Sequence, residues 1–136
     1  MEWLKAFIAG FLATLIFHQG LFTLFYLAGL APNPPFNLTP VPPFGIPQVI
    51  SLSFFGGLWG IGLWLILRRS VGTRFWLGHV VAGAVGPTVI AMLVVFPLKG
   101  LEATPQIWVG GLILNGFWGL GVAILMRLMR QGPALS

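Results

Sequence analysis

The chain has 136 residues, of which 57% are hydrophobic and only 7% charged, with mean hydropathy +0.97 and a net charge of +5. An average soluble domain carries about 25% charged residues, so this chain cannot cover a water-exposed surface, and a lipid bilayer is the expected surrounding for most of it. The basic residues are few and sit at the ends of apolar runs without interleaved aromatics, so nucleic acid is not an expected partner; with no cysteine, disulfides, thiolate catalysis and cysteine-ligated metal are excluded.

Four apolar segments are long enough to cross a bilayer core, which takes about 20 helical residues. They fall near 3–29, 47–67, 74–96 and 106–129. Lipid offers the backbone no hydrogen bonds, so helices are expected. The prediction is an all-α, four-transmembrane-helix bundle forming a single integral membrane domain over 1–136. The first segment follows Lys5 like a signal peptide, but its apolar run far exceeds the roughly 7–15 residues of a signal core. It is read as a retained span.

The first span carries His18 and Gln19 in an otherwise apolar run. Ala6, Gly10, Thr14 and His18 form a stripe of small and polar residues at i, i+4 spacing, expected to face a neighbouring helix. The outer loop 30–46 is rich in proline, which bars regular helix or a central strand. It is expected to be stiff, partly polyproline-like and folded across the outer mouth, with Phe36 and Phe44 wedged against the bundle. In the second span Gly56 and Gly60 make a small-xxx-small pair. The third span contains Pro87 and Thr88. In the fourth, Gly111, Asn115 and Gly119 form a second stripe.

The second and fourth spans repeat each other. "GLWGIGLWLILR" (57–68) aligns without gaps on "GFWGLGVAILMR" (116–127), and "WLKAFIAG" (3–10) aligns more faintly on "WLGHVVAG" (76–83). The chain therefore reads as a duplicated two-helix hairpin with a proline-rich insertion. Each unit has two spans, so the halves would be related by a pseudo-two-fold axis along the membrane normal.

Lys5, Arg68, Arg69, Arg74, Arg127 and Arg130 fall on one side of a four-span arrangement, and only Lys99 on the other. The positive-inside rule puts both termini and the middle loop in the cytoplasm. Counting about 1.5 Å per residue from the nearest cytoplasmic basic residue, His18, Ser53, Thr88 and Asn115 all lie about 18–22 Å deep. One polar side chain from each span thus falls in one layer. His18 is expected inside the bundle, bonded to Asn115 or to a hydroxyl, and Gln19, about 100° further round the helix, to point to the outer vestibule or pack at an oligomer contact. Such a layer is either structural glue or a site for a small molecule, ion or proton.

Catalysis has little support, because the spans hold no acid, no paired carboxylates, no HExxH and no phosphate loop. No metal or cofactor is expected, and His79 lies too far from His18 for one bis-histidine heme. Two functions remain: a structural, interaction or accessory subunit, as a homodimer or within a larger membrane complex, or a small transporter or channel using the polar layer. The strings "FHQG", "PVPPFGIP", "FFGGLWG", "FPLKG" and "NGFWGLG" resemble a family of small four-span bacterial membrane proteins to which no role is assigned. The resemblance implies a bacterial inner membrane and supplies no activity or site.

Overall fold

The computed structural model describes residues 1–130. It is all-helical apart from one two-residue strand pair, and four of its helices are long and apolar enough to cross a membrane: α1 (Glu2–Leu27), α2 (Gln48–Leu67), α3 (Thr73–Leu98) and α4 (Pro105–Arg130). These bounds lie within two residues of the sequence expectation. The chain therefore has the make-up of a multi-pass membrane protein.

The helices form a ring in which α1 packs tightly on α2, α3 on α4, and α1 on α4, with lighter contact between α2 and α3. Glycine sets the two tight hairpins. A Cβ on Gly60 would collide with the Ala6 carbonyl oxygen, and one on Gly10 with the Gly56 carbonyl. In the other hairpin a Cβ on Gly119 would collide with the His79 carbonyl, and one on Gly83 would lie 2.8 Å from the Gly119 Cα. Backbone meets backbone at both crossings, the close approach that lets helices associate by dispersion where lipid supplies no hydrophobic drive. The buried core lies at these crossings and extends toward the basic end, built from Ala6, Ala9 and Ala13 of α1, Leu63, Phe75, and Trp118, Val122 and Met126 of α4.

Two helices contain a widened, π-helical turn. In α1 it spans Thr14–His18, and the Gln19 N–H reaches back to the Thr14 carbonyl five residues earlier. In α3 it spans Ala91–Val95, directly before Pro97, whose missing N–H already interrupts the α-helical ladder there. An inserted residue swings everything beyond it round the helix axis. The buried stripe Ala6, Gly10, Thr14 therefore does not continue to His18, which is half-buried. It continues to Gln19, which is 6% exposed. The expectation that His18 is the buried member of the stripe is corrected by that single extra residue.

The two helices that run away from the basic end, α1 and α3, stop in the same way. At the end of α1 the Leu30 N–H bonds the Phe25 carbonyl at 2.8 Å and Gly29 adopts φ 77°. At the end of α3 the Leu101 N–H bonds the Phe96 carbonyl at 2.8 Å and Gly100 adopts φ 69°. Each is a Schellman stop that needs glycine at the left-handed position. The matching sequences are Phe25-Tyr-Leu-Ala-Gly-Leu30 and Phe96-Pro-Leu-Lys-Gly-Leu101.

The proline-rich loop contains a minimal antiparallel ladder, β1 (Pro40–Val41) with β2 (Ile46–Pro47), closed by Gly45 N–H to the Val41 carbonyl at 2.9 Å. Proline is tolerated because both strands are edges. The loop also caps α2: the Thr39 and Asn37 carbonyls accept the Gln48 and Val49 N–H groups, both at 2.9 Å, satisfying two of the donors a helix start leaves free. Phe44 does not wedge against the bundle, since it is 82% exposed, and Phe36 is 46% exposed. The loop is held by a backbone bond from Phe36 to a helix side chain instead.

Candidate functional site

The four residues placed in one layer by depth divide into three separate arrangements. Asn115 of α4 donates its Nδ2–H to Thr88 Oγ1 of α3 at 2.9 Å. Thr88 is fully buried, and its hydroxyl lies beside the gap left by Gly111. Ser53 of α2 is also fully buried, and its hydroxyl turns back on its own helix to the Val49 carbonyl at 2.7 Å. His18 bonds neither of them nor Asn115. Its Nδ1 lies 3.2 Å from Nε2 of Gln19, the next residue.

The His18–Asn115 bond expected from depth is thus corrected to Thr88–Asn115. Depth along a helix gives level but not direction. Asn115 sits in the stripe with Gly111 and Gly119 that faces α3, and Gly119 meets Gly83 there. Five residues beyond Gly83 and four before Gly119 the hairpin brings Thr88 and Asn115 together. The small-residue stripe carried this pairing in the sequence.

Gln19, expected to point to the outer vestibule or to an oligomer contact, is instead buried within the bundle. Its Oε1 accepts the Phe36 N–H at 2.7 Å, and its own carbonyl accepts the Thr23 hydroxyl at 2.7 Å. A backbone N–H can only donate, so the amide oxygen must face Phe36 and the NH2 must face His18. His18 Nδ1 is then the acceptor, and its ring proton sits on Nε2. Phe36 itself holds φ 53°, a region that a bulky residue enters only when its surroundings impose it.

A second interior cluster lies between α1 and α4. Trp118 Nε1–H is shared between the Gly10 carbonyl and Thr14 Oγ1, each at 3.1 Å, while the Thr14 hydroxyl donates to the same Gly10 carbonyl at 2.9 Å. The three groups close on one another. Among the described residues, no buried side-chain nitrogen or oxygen lacks a hydrogen-bond partner.

Two concavities among the described residues bear on a site. One is a tight crevice at the basic end, lined by Trp64, Arg68, Phe75, His79, Met126 and Arg130. There His79 donates Nδ1–H to the Phe75 carbonyl at 2.7 Å, and the Arg127 guanidinium stands 5.7 Å over the Phe75 ring. Arg130 and Lys5 both reach Glu2, at 3.2 and 3.4 Å, which puts the start of α1 and the end of α4 side by side. The other is an open apolar groove of about 340 Å³ along α4, between Leu21 on one side and Val80 and Ala84 on the other. None of His18, Ser53, Thr88 or Asn115 lines either one.

No protein-family model, curated protein or solved structure matches the chain.

Proposed function

We propose that this chain is a small integral protein of a bacterial inner membrane with a structural role, acting as an interaction partner or accessory subunit of a membrane complex. The observation that carries it is the closure of the interior polar groups. Asn115 is taken up by Thr88, Ser53 by Val49, Thr14 and Trp118 by Gly10, and Gln19 by Phe36. The Asn115–Thr88 and Trp118–Gly10 bonds hold neighbouring helices together, Gln19 holds the loop, and the Ser53 and Thr14 hydroxyls are met within their own helices.

The bundle is a duplicated hairpin. Three relationships support this. The Gly10–Gly60 crossing and the Gly83–Gly119 crossing involve residues that the two sequence alignments equate. The equated tryptophans play matching parts, since Trp118 of the second hairpin packs on α1 of the first, and Trp59 of the first packs against Gly86 on α3 of the second. That exchange is what a pseudo-two-fold axis along the bundle requires. The matching Schellman stops at Gly29 and Gly100 add a third correspondence.

The end bearing Lys5, Arg68, Arg69, Arg74, Arg127 and Arg130 is cytoplasmic, by the positive-inside rule. The Glu2–Arg130 contact and the shared lining of the crevice by Arg68 and Arg130 support one common basic end.

Purification in mild detergent, followed by reconstitution, tests the role. Co-purification of a defined membrane assembly, with liposomes no more permeable than empty ones, is the expected result. A lone protein that conducts ions or solutes in liposomes would contradict it and make the layer of His18, Ser53, Thr88 and Asn115 a transport site.

A further inference from the structure

The loop between α1 and α2 does not sit above the bundle. In the first hairpin each step up α1 matches a step down α2 from the Gly10–Gly56 contact, so α2 begins level with His18 and Gln19. The bond from Phe36 N–H to Gln19 Oε1 and that from Val49 N–H to the Asn37 carbonyl fix the loop at that level. Helix α1 runs on to Leu27, about 12 Å further at 1.5 Å per residue. In the second hairpin α3 and α4 reach the outer end together, since Met92 meets Gly111 and Leu98 comes level with Pro105. The loop fills the space that an outer third of α2 would occupy.

We infer that residues 32–47 form a re-entrant segment lying in the outer leaflet, with Phe36, Leu38 and Phe44 in contact with lipid. This rests on the membrane placement proposed above. Gln19 lies fourteen residues beyond Lys5, about 21 Å along the helix, and so about 9 Å short of the far side of a 30 Å core. Irregular backbone at that depth must leave few polar groups unmet. The segment is suited to this. Seven of its sixteen residues are proline and have no N–H to satisfy, and none is charged. Of the nine amides that remain, three are met by Phe36 donating to Gln19, Thr39 to the Asn37 side chain and Gly45 to Val41. The large side chains turned outward are apolar, Leu38 being 68% exposed and Phe44 more so, with the short polar Asn33 and Thr39 exposed among them. They continue the apolar outer surface of α1, where Leu24 and Leu27 are exposed as well. Lipid hydrocarbon is the occupant that matches an uncharged, proline-rich segment with large apolar side chains outward, continuous with the exposed apolar face of α1.

The chain has no cysteine, so single-cysteine variants give unambiguous spin labels. Leu38→Cys and Phe44→Cys, each carrying a nitroxide, are reconstituted in phosphatidylethanolamine–phosphatidylglycerol vesicles. Collision with oxygen, which concentrates in hydrocarbon, is compared with collision with a water-soluble nickel chelate. Val85→Cys, on the exposed face of α3, and Ala103→Cys, in the other outer loop, serve as references. The expected oxygen-to-nickel ratio at 38 and 44 is several-fold above that at 103 and close to that at 85. A ratio at 38 and 44 equal to that at 103, with 85 in hydrocarbon, overturns the re-entrant loop and leaves the membrane reading standing. Nickel access at 85 as well overturns the membrane reading. Shielding of 38 and 44 from both reagents means a protein covers the loop, and overturns the inference in favour of a partner.

Discussion

Trp118 and Gly10 are joined across the α4–α1 interface by a bond of 3.1 Å from the indole N–H to a backbone carbonyl, with Thr14 Oγ1 sharing the same donor at the same distance. The ring is nearly fully buried at the centre of the core. This is the main polar tie between the two hairpins. Trp118→Phe keeps most of the ring and removes the donor, and should cost about 0.5–1.5 kcal/mol. Trp118→Ala also opens a cavity and should cost about 3–5 kcal/mol. Trp59→Phe keeps a ring against Gly86 and should cost less than Trp118→Phe. Unfolding in mixed micelles with increasing dodecyl sulfate measures all three; equal losses for the two phenylalanine variants would show that the tie is unimportant.

The glycines separate into those that set a crossing and those that do not. A methyl on Gly60 or Gly119 meets a backbone carbonyl, while one on Gly62 or Gly110 meets nothing within 4 Å. Gly60→Ala and Gly119→Ala should therefore each force the helices apart at a cost of about 1–3 kcal/mol. Gly62→Ala and Gly110→Ala should be neutral or stabilising by up to about 1 kcal/mol through helix propensity. The same unfolding assay reads both pairs. A large loss at Gly62 or Gly110 would reveal a contact outside the monomer.

Asn115 and Thr88 should behave as one unit. In a cycle of Asn115→Ala and Thr88→Val, the double loss should fall short of the summed single losses by about 0.5–1.5 kcal/mol. His18→Leu paired with Asn115→Ala should show no such coupling. Coupling between His18 and Asn115 instead would restore the pairing that depth alone suggested.

Gln19→Leu removes the acceptor of the Phe36 N–H and should free the loop, leaving an unmet donor worth about 1–3 kcal/mol. Faster hydrogen exchange at Phe36 and quicker proteolysis within 31–39 are the expected signs. Phe36→Gly relieves a left-handed backbone conformation that costs a non-glycine residue about 1–3 kcal/mol, and, with the ring 46% exposed, should slow hydrogen exchange in the loop. Unchanged exchange in Gln19→Leu would mean that the ladder and the α2 cap hold the loop without it.

Much of this architecture was legible in the chain itself. Length and hydropathy located four helices to within two residues, because a span must be both long and apolar. The stripes Gly56/Gly60 and Gly111/Asn115/Gly119 faced neighbouring helices, as expected, because only small residues permit such close approach. Depth counting put Thr88 and Asn115 on one level, and they are bonded. It failed for His18 because direction round a helix depends on every turn below, and the widened turn Thr14–His18 turned Gln19 inward in its place. No residue in "TLIFH" announces that turn. The descent of the loop to Gln19 was equally hidden, since it depends on where α1 and α2 cross and on a bond between residues seventeen apart.

The most direct test of the whole account is the side of the membrane each end occupies. In intact cells with a permeable outer envelope, a membrane-impermeant maleimide should label Ala103→Cys at once. Val71→Cys, in the 68–72 loop beside Arg68, Arg69 and Arg74, should be labelled only after the inner membrane is broken. Labelling of Val71→Cys from outside, or of both positions alike before lysis, would contradict a four-span bundle with its basic end in the cytoplasm.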